Sequence, residues 1–219
     1  MTVKAVIFDL DGTLINSIKD IANNMNEALK MYGFEGHTEG EYKYLVGIGA
    51  SNLVRDALPE KSRNDDELIK KVHKTYTQLY DKNYLNNTYV YNGITELLRY
   101  LTGKGIKLAV LSNKPHEFTV RIIKELFKDF NFEVILGQQE ALPKKPSPDG
   151  AMLIVKTLKI KPQDFIYMGD SAVDIKTAKA AGMVSVGVLW GFRSYGELIN
   201  EGADYIIKKP ADIIKIVES

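Results

Sequence analysis

The stretch "VIFDLDGTLINS", residues 6–17, decides how the rest of the chain is read. Its apolar opening reads as a buried strand, yet it ends by setting Asp9 and Asp11 two residues apart. Adjacent carboxylates repel and lose hydration on burial, unless a cation sits between them or one of them holds a proton. Both could instead be turn formers ahead of Gly12. The choice depends on what the other strands bring to the same place.

Five further short apolar runs follow the first, Val3–Phe8: Ile106–Leu111, Phe132–Leu136, Phe165–Met168, Val184–Leu189 and Tyr205–Ile207. Helical patterns separate most of them. Runs that are apolar on both faces suit a parallel sheet sandwiched by helices, so the fold class is α/β, a Rossmann-like open parallel sheet with right-handed crossovers. Pro115 and Pro148 sit where first-turn prolines are tolerated, Ser147 is placed to cap a helix over 149–158, and Gly182 to end one that begins near Val173.

Between the first strand and about residue 90 the alternation stops. Residues 17–32 put Ile18, Ile21, Met25, Ala28, Leu29 and Tyr32 on one helical face, with Gly33 as a stop. Thr38 and Glu41 have capping-box spacing, Ser51 is a candidate cap for a short helix through Leu58, and Asn64 with Glu67 precedes the pattern Leu68, Val72, Tyr76, Leu79 and Tyr80. The segment reads as a small α-helical bundle inserted into the sheet domain, giving a core of residues 1–15 and 90–219 and an insertion of residues 16–89. "KSRNDDE" and "LPKKPSPDG" read as loops.

Bulk composition narrows the function classes. The 219 residues are 45% hydrophobic and 26% charged, ordinary for a globular chain, and the net charge of +1 offers no basic footprint for nucleic acid or an anionic membrane. No cysteine is present, which excludes disulfides, a thiol nucleophile and Cys-ligated zinc and suits a reducing, cytoplasmic setting. No signal-peptide pattern or membrane-length apolar stretch is visible. His37, His73 and His116 are scattered without metal-ligand spacing.

Ligand sites in open α/β sheets lie outside the carboxyl ends of the strands. Four runs end in, or lead to, polar residues: Asp9-Leu10-Asp11-Gly12-Thr13, Ser112-Asn113, Lys144-Lys145-Pro146, and Gly169-Asp170 with Asp174 a turn later. If these ends converge, four carboxylates, a lysine and a hydroxyl share one pocket. Such a set asks for a hard divalent cation with oxygen ligands, and magnesium fits because it keeps positions for water and phosphate oxygens.

The ordered set "DLDGT", "LSN", "KKP" and "GDSAVD" resembles the four motifs of the haloacid dehalogenase superfamily, and the inserted helices resemble its helical cap. "GVLWGFRSYGELINEGADYII", residues 187–207, is similar to the phosphoglycolate phosphatase-like branch. The resemblance covers essentially the whole chain. It implies a phosphatase in which Asp9 is the nucleophile and Asp11 the general acid and base. Mg2+ would be held by Asp9, Asp170 and the backbone carbonyl of Asp11, with Asp174 supporting its water shell. Ser112 would bind a phosphate oxygen, and Lys145 rather than Lys144 would neutralise the nucleophile. The substrate would be a small phosphorylated metabolite, with phosphoglycolate the first expectation, and the protein a monomer or homodimer.

Several readings stay open beside these. Ser112 and Asn113 are candidate caps for the helix at Pro115 as well as substrate contacts, and Asp174 is also placed to favour a helix N-terminus. Gly47 and Gly49 flank Ile48 in a loop suited to close backbone approach. Arg55, Lys43 and Arg193 are candidate contacts for a second anionic group, or simply exposed charges. Thr13, Trp190, Phe192 and the tyrosines of the insertion read first as packing residues. The same motifs would serve a pyrophosphatase, a nucleotidase or a sugar-phosphate mutase, although the mutase branch carries a cap histidine where this chain has Ile21. The dehalogenase branch lacks the second aspartate of "DLDGT". A catalytically silent phosphate-binding regulatory module would be expected to have lost Asp9, Asp11, Lys145 or Asp170.

Overall fold

The computed structural model describes residues 2–219. In chain order the elements are β1 (Ala5–Phe8), β2 (Ile15–Asn16), α1 (Ile18–Met31), α2 (Glu39–Leu45), α3 (Ala50–Ala57), α4 (Asp66–Asn83), β3 (Tyr89–Val90), α5 (Ile94–Gly103), β4 (Lys107–Pro115), α6 (His116–Leu126), β5 (Phe132–Gln138), α7 (Asp149–Leu158), β6 (Phe165–Gly169), α8 (Ala172–Ala180), β7 (Val184–Val188), α9 (Tyr195–Asn200), β8 (Tyr205–Ile207) and α10 (Ile213–Val217).

Six strands form one parallel sheet in the order β5-β4-β1-β6-β7-β8. Side chains alternate across a strand, so Val6 and Phe8 enter one apolar layer with Leu97, Leu98, Val110, Ile122 and Met168, while Ala5 and Ile7 enter the opposite layer with Ala109, Ala151, Ile154 and Tyr167. Helices cover both faces, which is why β1 is apolar at every position. The chain winds to one side of β1 through β4 and β5 and to the other through β6, β7 and β8. That reversal puts the topological switch point at the carboxyl end of β1.

The chain leaves the sheet through β2 and returns through β3, and the two pair antiparallel as Ile15↔Val90 and Asn16↔Tyr89. Between them α1 to α4 pack around their own apolar centre of Ile21, Met25, Leu29, Tyr42, Leu53, Val54, Val72 and Tyr76, joined by Phe118 and Phe192 from the sheet side. Met25 and Leu29 are fully buried, each contributing about 1.5–3 kcal/mol of transfer free energy. Asp20 anchors the return: its carboxylate accepts hydrogen bonds from the backbone N–H groups of Asn87 and Thr88 and from both their side chains. Among the described residues no helix is long and apolar enough to cross a membrane.

Several local expectations are corrected. The Thr38–Glu41 capping box forms, but α3 is capped by Gly49 and Ser51 lies inside it; α4 is capped by Asp65, which accepts from the Leu68 N–H at 3.0 Å, rather than by Asn64. Pro115 and Pro148 stand one residue ahead of their helices, so Ser147 is not the cap of α7. Strand β4 runs on to Pro115, which leaves Ser112 and Asn113 in its tail instead of capping α6.

Candidate active site

Strand register brings the polar strand ends together. Phe8 pairs with Val110 on one side and Met168 on the other, so Asp9, Ser112 and Asp170 emerge at the same edge of the sheet. Lys145 reaches them from the loop after β5. Its Nζ lies 2.9 Å from Asp9 Oδ1 and 2.7 Å from Asp174 Oδ1. Asp9 Oδ1 also accepts the Leu10 N–H at 2.7 Å. Asp174 Oδ2 takes hydrogen bonds from the N–H and Oγ of Ser171, so one carboxylate caps α8 and fixes the lysine. Asp170 Oδ2 accepts the Phe192 N–H at 2.7 Å. Gly12 has φ +84°, and a Cβ there would stand 2.3 Å from Asp170 Oδ2, so this turn needs glycine on both counts.

The electrostatics follow from burial. Asp9 is pushed up to about 7 by burial, with Asp174 and Asp11 adding to the rise and Lys145 opposing it. Asp170 is raised well above the usual carboxylate range by burial and then by Asp174 and Asp9. Burial alone would lower Lys145, but Asp174 and Asp9 outweigh it and hold its ammonium well above the ordinary lysine range. Asp9, Asp170 and Asp174 each offer an oxygen within 4.8 Å of the others, and all three are buried. Lys145 offsets one of these three negative charges when all are ionised. The two remaining match a hard divalent cation bound by oxygen, so the donor set fits a metal of that kind.

The Asp11 carboxylate stands outside that cluster. Its carboxylate accepts from Ser17 Oγ at 2.5 Å and sits 3.1 Å from Lys114 Nζ through both oxygens. Lys114, two residues beyond Ser112, has no motif that marks it as a site residue; its buried ammonium lies 4.7 Å from the centre of the Tyr80 ring. The only sequence signal for it is its place directly after "LSN" at a strand end.

Asn113 is committed to backbone. Its Nδ2 donates to the carbonyls of Gly47 at 2.9 Å and Lys145 at 3.0 Å, and its Oδ1 accepts the Lys145 N–H at 2.9 Å. It therefore braces the lysine loop against the insertion loop rather than presenting its amide to a substrate. Gly49 closes the same seam: at φ +95°, a Cβ would stand 2.7 Å from Gln138 Oε1. Ser112 Oγ accepts the Lys114 N–H at 3.2 Å and lines the cavity.

That cavity encloses about 750 Å³, part of it continuous with solvent, between the strand ends and the insertion. Asp9, Asp11, Ser112, Lys114 and Asp170 line one side, and Ile21, Leu53, Tyr76, Tyr80, Phe118 and Phe192 supply much of the rest. Gly47, Gly49 and Arg193 also line it, whereas Arg55 is exposed and is not brought to it. Arg193 donates to the Val46 carbonyl at 2.9 Å, tying the loop after β7 to the insertion. Phe192 and the tyrosines thus do more than fill the core. Trp190 packs as expected and donates to the Thr13 carbonyl at 3.0 Å. Lys144 is half-buried, and the histidines join no metal-binding cluster among the described residues.

A sequence model of the haloacid dehalogenase-like hydrolases matches residues 6–188. The chain belongs to that family. It is 32% identical over 221 residues to the phosphoglycolate phosphatase of Aquifex aeolicus, covering 99% of this chain and 98% of the relative. It is 31% identical to the phosphoglycolate phosphatase of Escherichia coli K12, over 90% of this chain and 85% of that one. The crystal structure of a predicted phosphoglycolate phosphatase from Haemophilus somnus superposes with a TM-score of 0.92 at 29% identity, covering 99% and 98% of the two chains. This hydrolase is thus of the phosphoglycolate phosphatase-like kind, a phosphoric monoester hydrolase.

Proposed function

We propose that this hydrolase is a Mg2+-dependent phosphatase that cleaves a small phosphomonoester, phosphoglycolate or a close analogue, through an aspartyl-phosphate on Asp9. The observation that carries the reading is the Asp9 carboxylate, held 2.9 Å from Lys145 within a buried cluster of three carboxylates and opening into a cavity roofed by the insertion.

Asp9 attacks phosphorus, its new oxygen–phosphorus bond forming as the ester oxygen–phosphorus bond breaks. Asp11 gives a proton to the departing alkoxide and later takes one from the water that attacks the aspartyl-phosphate. Breaking the Asp9 oxygen–phosphorus bond then releases inorganic phosphate and restores the carboxylate. One carboxylate attacks and its neighbour carries the proton, which is the reason for the pair in "DLDGT". Lys145 holds Asp9 in place and offsets charge on the phosphoryl oxygens, and Ser112 Oγ hydrogen-bonds one of them. Asp9, Asp170 and the Asp11 backbone carbonyl would hold Mg2+, with Asp174 supporting its water shell; the ion supplies charge neutralisation for the approach of anion to anion. The insertion excludes bulk water. A cysteine-free phosphatase of small metabolites suits the cytoplasm.

The test is phosphate release with Mg2+ and with chelator, across phosphoglycolate, pyrophosphate, hexose phosphates and nucleoside monophosphates, using Asp9→Asn as the blank. Magnesium-dependent release from phosphoglycolate that Asp9→Asn lowers by more than about a thousandfold supports the proposal. Near-full activity in Asp9→Asn, or activity indifferent to metal removal, refutes it.

A further inference from the structure

The structure assigns a second anion subsite to Lys114 of β4 and Tyr80 of α4, which together take a carboxylate on the leaving side of the substrate. This rests on the phosphatase reading above and adds to it the residues that would meet the carboxylate of a phosphorylated hydroxy acid.

Two observations meet at this place. Lys114 is a buried cation on the cavity wall, 3.1 Å from Asp11 and 4.7 Å from the Tyr80 ring centre. The Tyr80 hydroxyl is buried, belongs to a residue lining the same cavity, and has no hydrogen-bond partner. A buried hydroxyl without a partner is costly and calls for an acceptor. Burial raises the phenol well above its ordinary pKa, so it stays a neutral donor. Its ring is held by Phe118 at 5.1 Å edge-on and by Tyr76 at 5.6 Å, so the hydroxyl cannot easily turn away to find water.

The position limits length. Asp11 must come within about 3 Å of the ester oxygen to protonate it, and Lys114 Nζ lies 3.1 Å from Asp11. With about 3 Å more for the lysine–carboxylate contact, an anion bound by Lys114 stands at most about 9 Å from the scissile oxygen, a span that admits the carboxylate of a short phosphorylated hydroxy acid. Lys114 comes from the sheet domain and Tyr80 from the insertion, so the subsite is complete only when the two lie together, as here.

The test compares kcat/KM on 2-phosphoglycolate and on ethyl phosphate, which has the same carbon count without the carboxylate. The unaltered enzyme should prefer the acid, and Tyr80→Phe, which keeps the ring and its packing, should lower that preference about tenfold, as expected for losing one hydrogen bond to a charged group. The loss should lie mainly in KM. Lys114→Met should lower the preference further. A preference unchanged by Tyr80→Phe, or absent in the unaltered enzyme, overturns the subsite while leaving the phosphatase intact; release from neither ester overturns both.

Discussion

Asn113→Ala separates a bracing residue from a substrate contact. The Asn113 side chain makes three hydrogen bonds, to the Gly47 carbonyl, the Lys145 carbonyl and the Lys145 N–H, and the residue is 5% exposed. Alanine leaves those backbone groups without partners in a site that water reaches poorly. At about 1 kcal/mol for each, the low end for an orphaned buried group, the loss is roughly 3 kcal/mol. For a chain of this size that lowers the melting temperature by roughly 6–12 °C. The Lys145 backbone loses its tether, so kcat falls as well. Thermal unfolding followed by circular dichroism, with steady-state kinetics on the same preparation, reads both. A melting temperature within about 1 °C of the unaltered protein, together with a raised KM and unchanged kcat, would show that the amide serves the substrate and would refute the bracing argument.

Three other expectations come from the same geometry. Magnesium at about a hundred times its dissociation constant should stabilise the folded chain by about 2.7 kcal/mol, seen as a rise in melting temperature, and Asp170→Asn should remove most of that rise; an equal rise in the variant would exclude Asp170 from the metal site. Gly49→Ala should cost about 1–3 kcal/mol, because its φ of +95° strains any side chain and its Cβ meets Gln138, and chemical denaturation will measure it. Asp20→Ala strips the partner from the Asn87 and Thr88 groups that anchor the return to β3 and should cost about 2–4 kcal/mol by the same assay; a loss under about 0.5 kcal/mol would show that the clamp is dispensable.

The six sheet strands and the helical insertion were legible because each rests on local pattern. A strand buried on both faces is apolar throughout, and a helix with one buried face repeats its apolar residues every three or four positions. The acidic strand ends were legible for a related reason: Asp9 follows its apolar run directly and Asp170 follows one after Gly169, and the carboxyl ends of parallel strands share one edge of the sheet. Cap positions were less so, since Asn64 and Asp65 are both good caps and only the path of the preceding turn chooses between them.

The sequence by itself determined which polar residues stand at the ends of apolar strands; the tertiary structure alone decided which of them face one another. Asn113 reads as a polar group at a strand end, yet packing spends its amide on Gly47 and Lys145, which lie 66 and 32 residues away. Lys114 and Tyr80, on elements far apart in the chain, meet because the insertion folds back over the switch point. Arg55 and Arg193 are the same residue type on the page, but α3 turns one to solvent while the loop after β7 sets the other into the cavity wall. Periodicity reports which face of an element is buried; it holds no information about which distant side chain that face will meet.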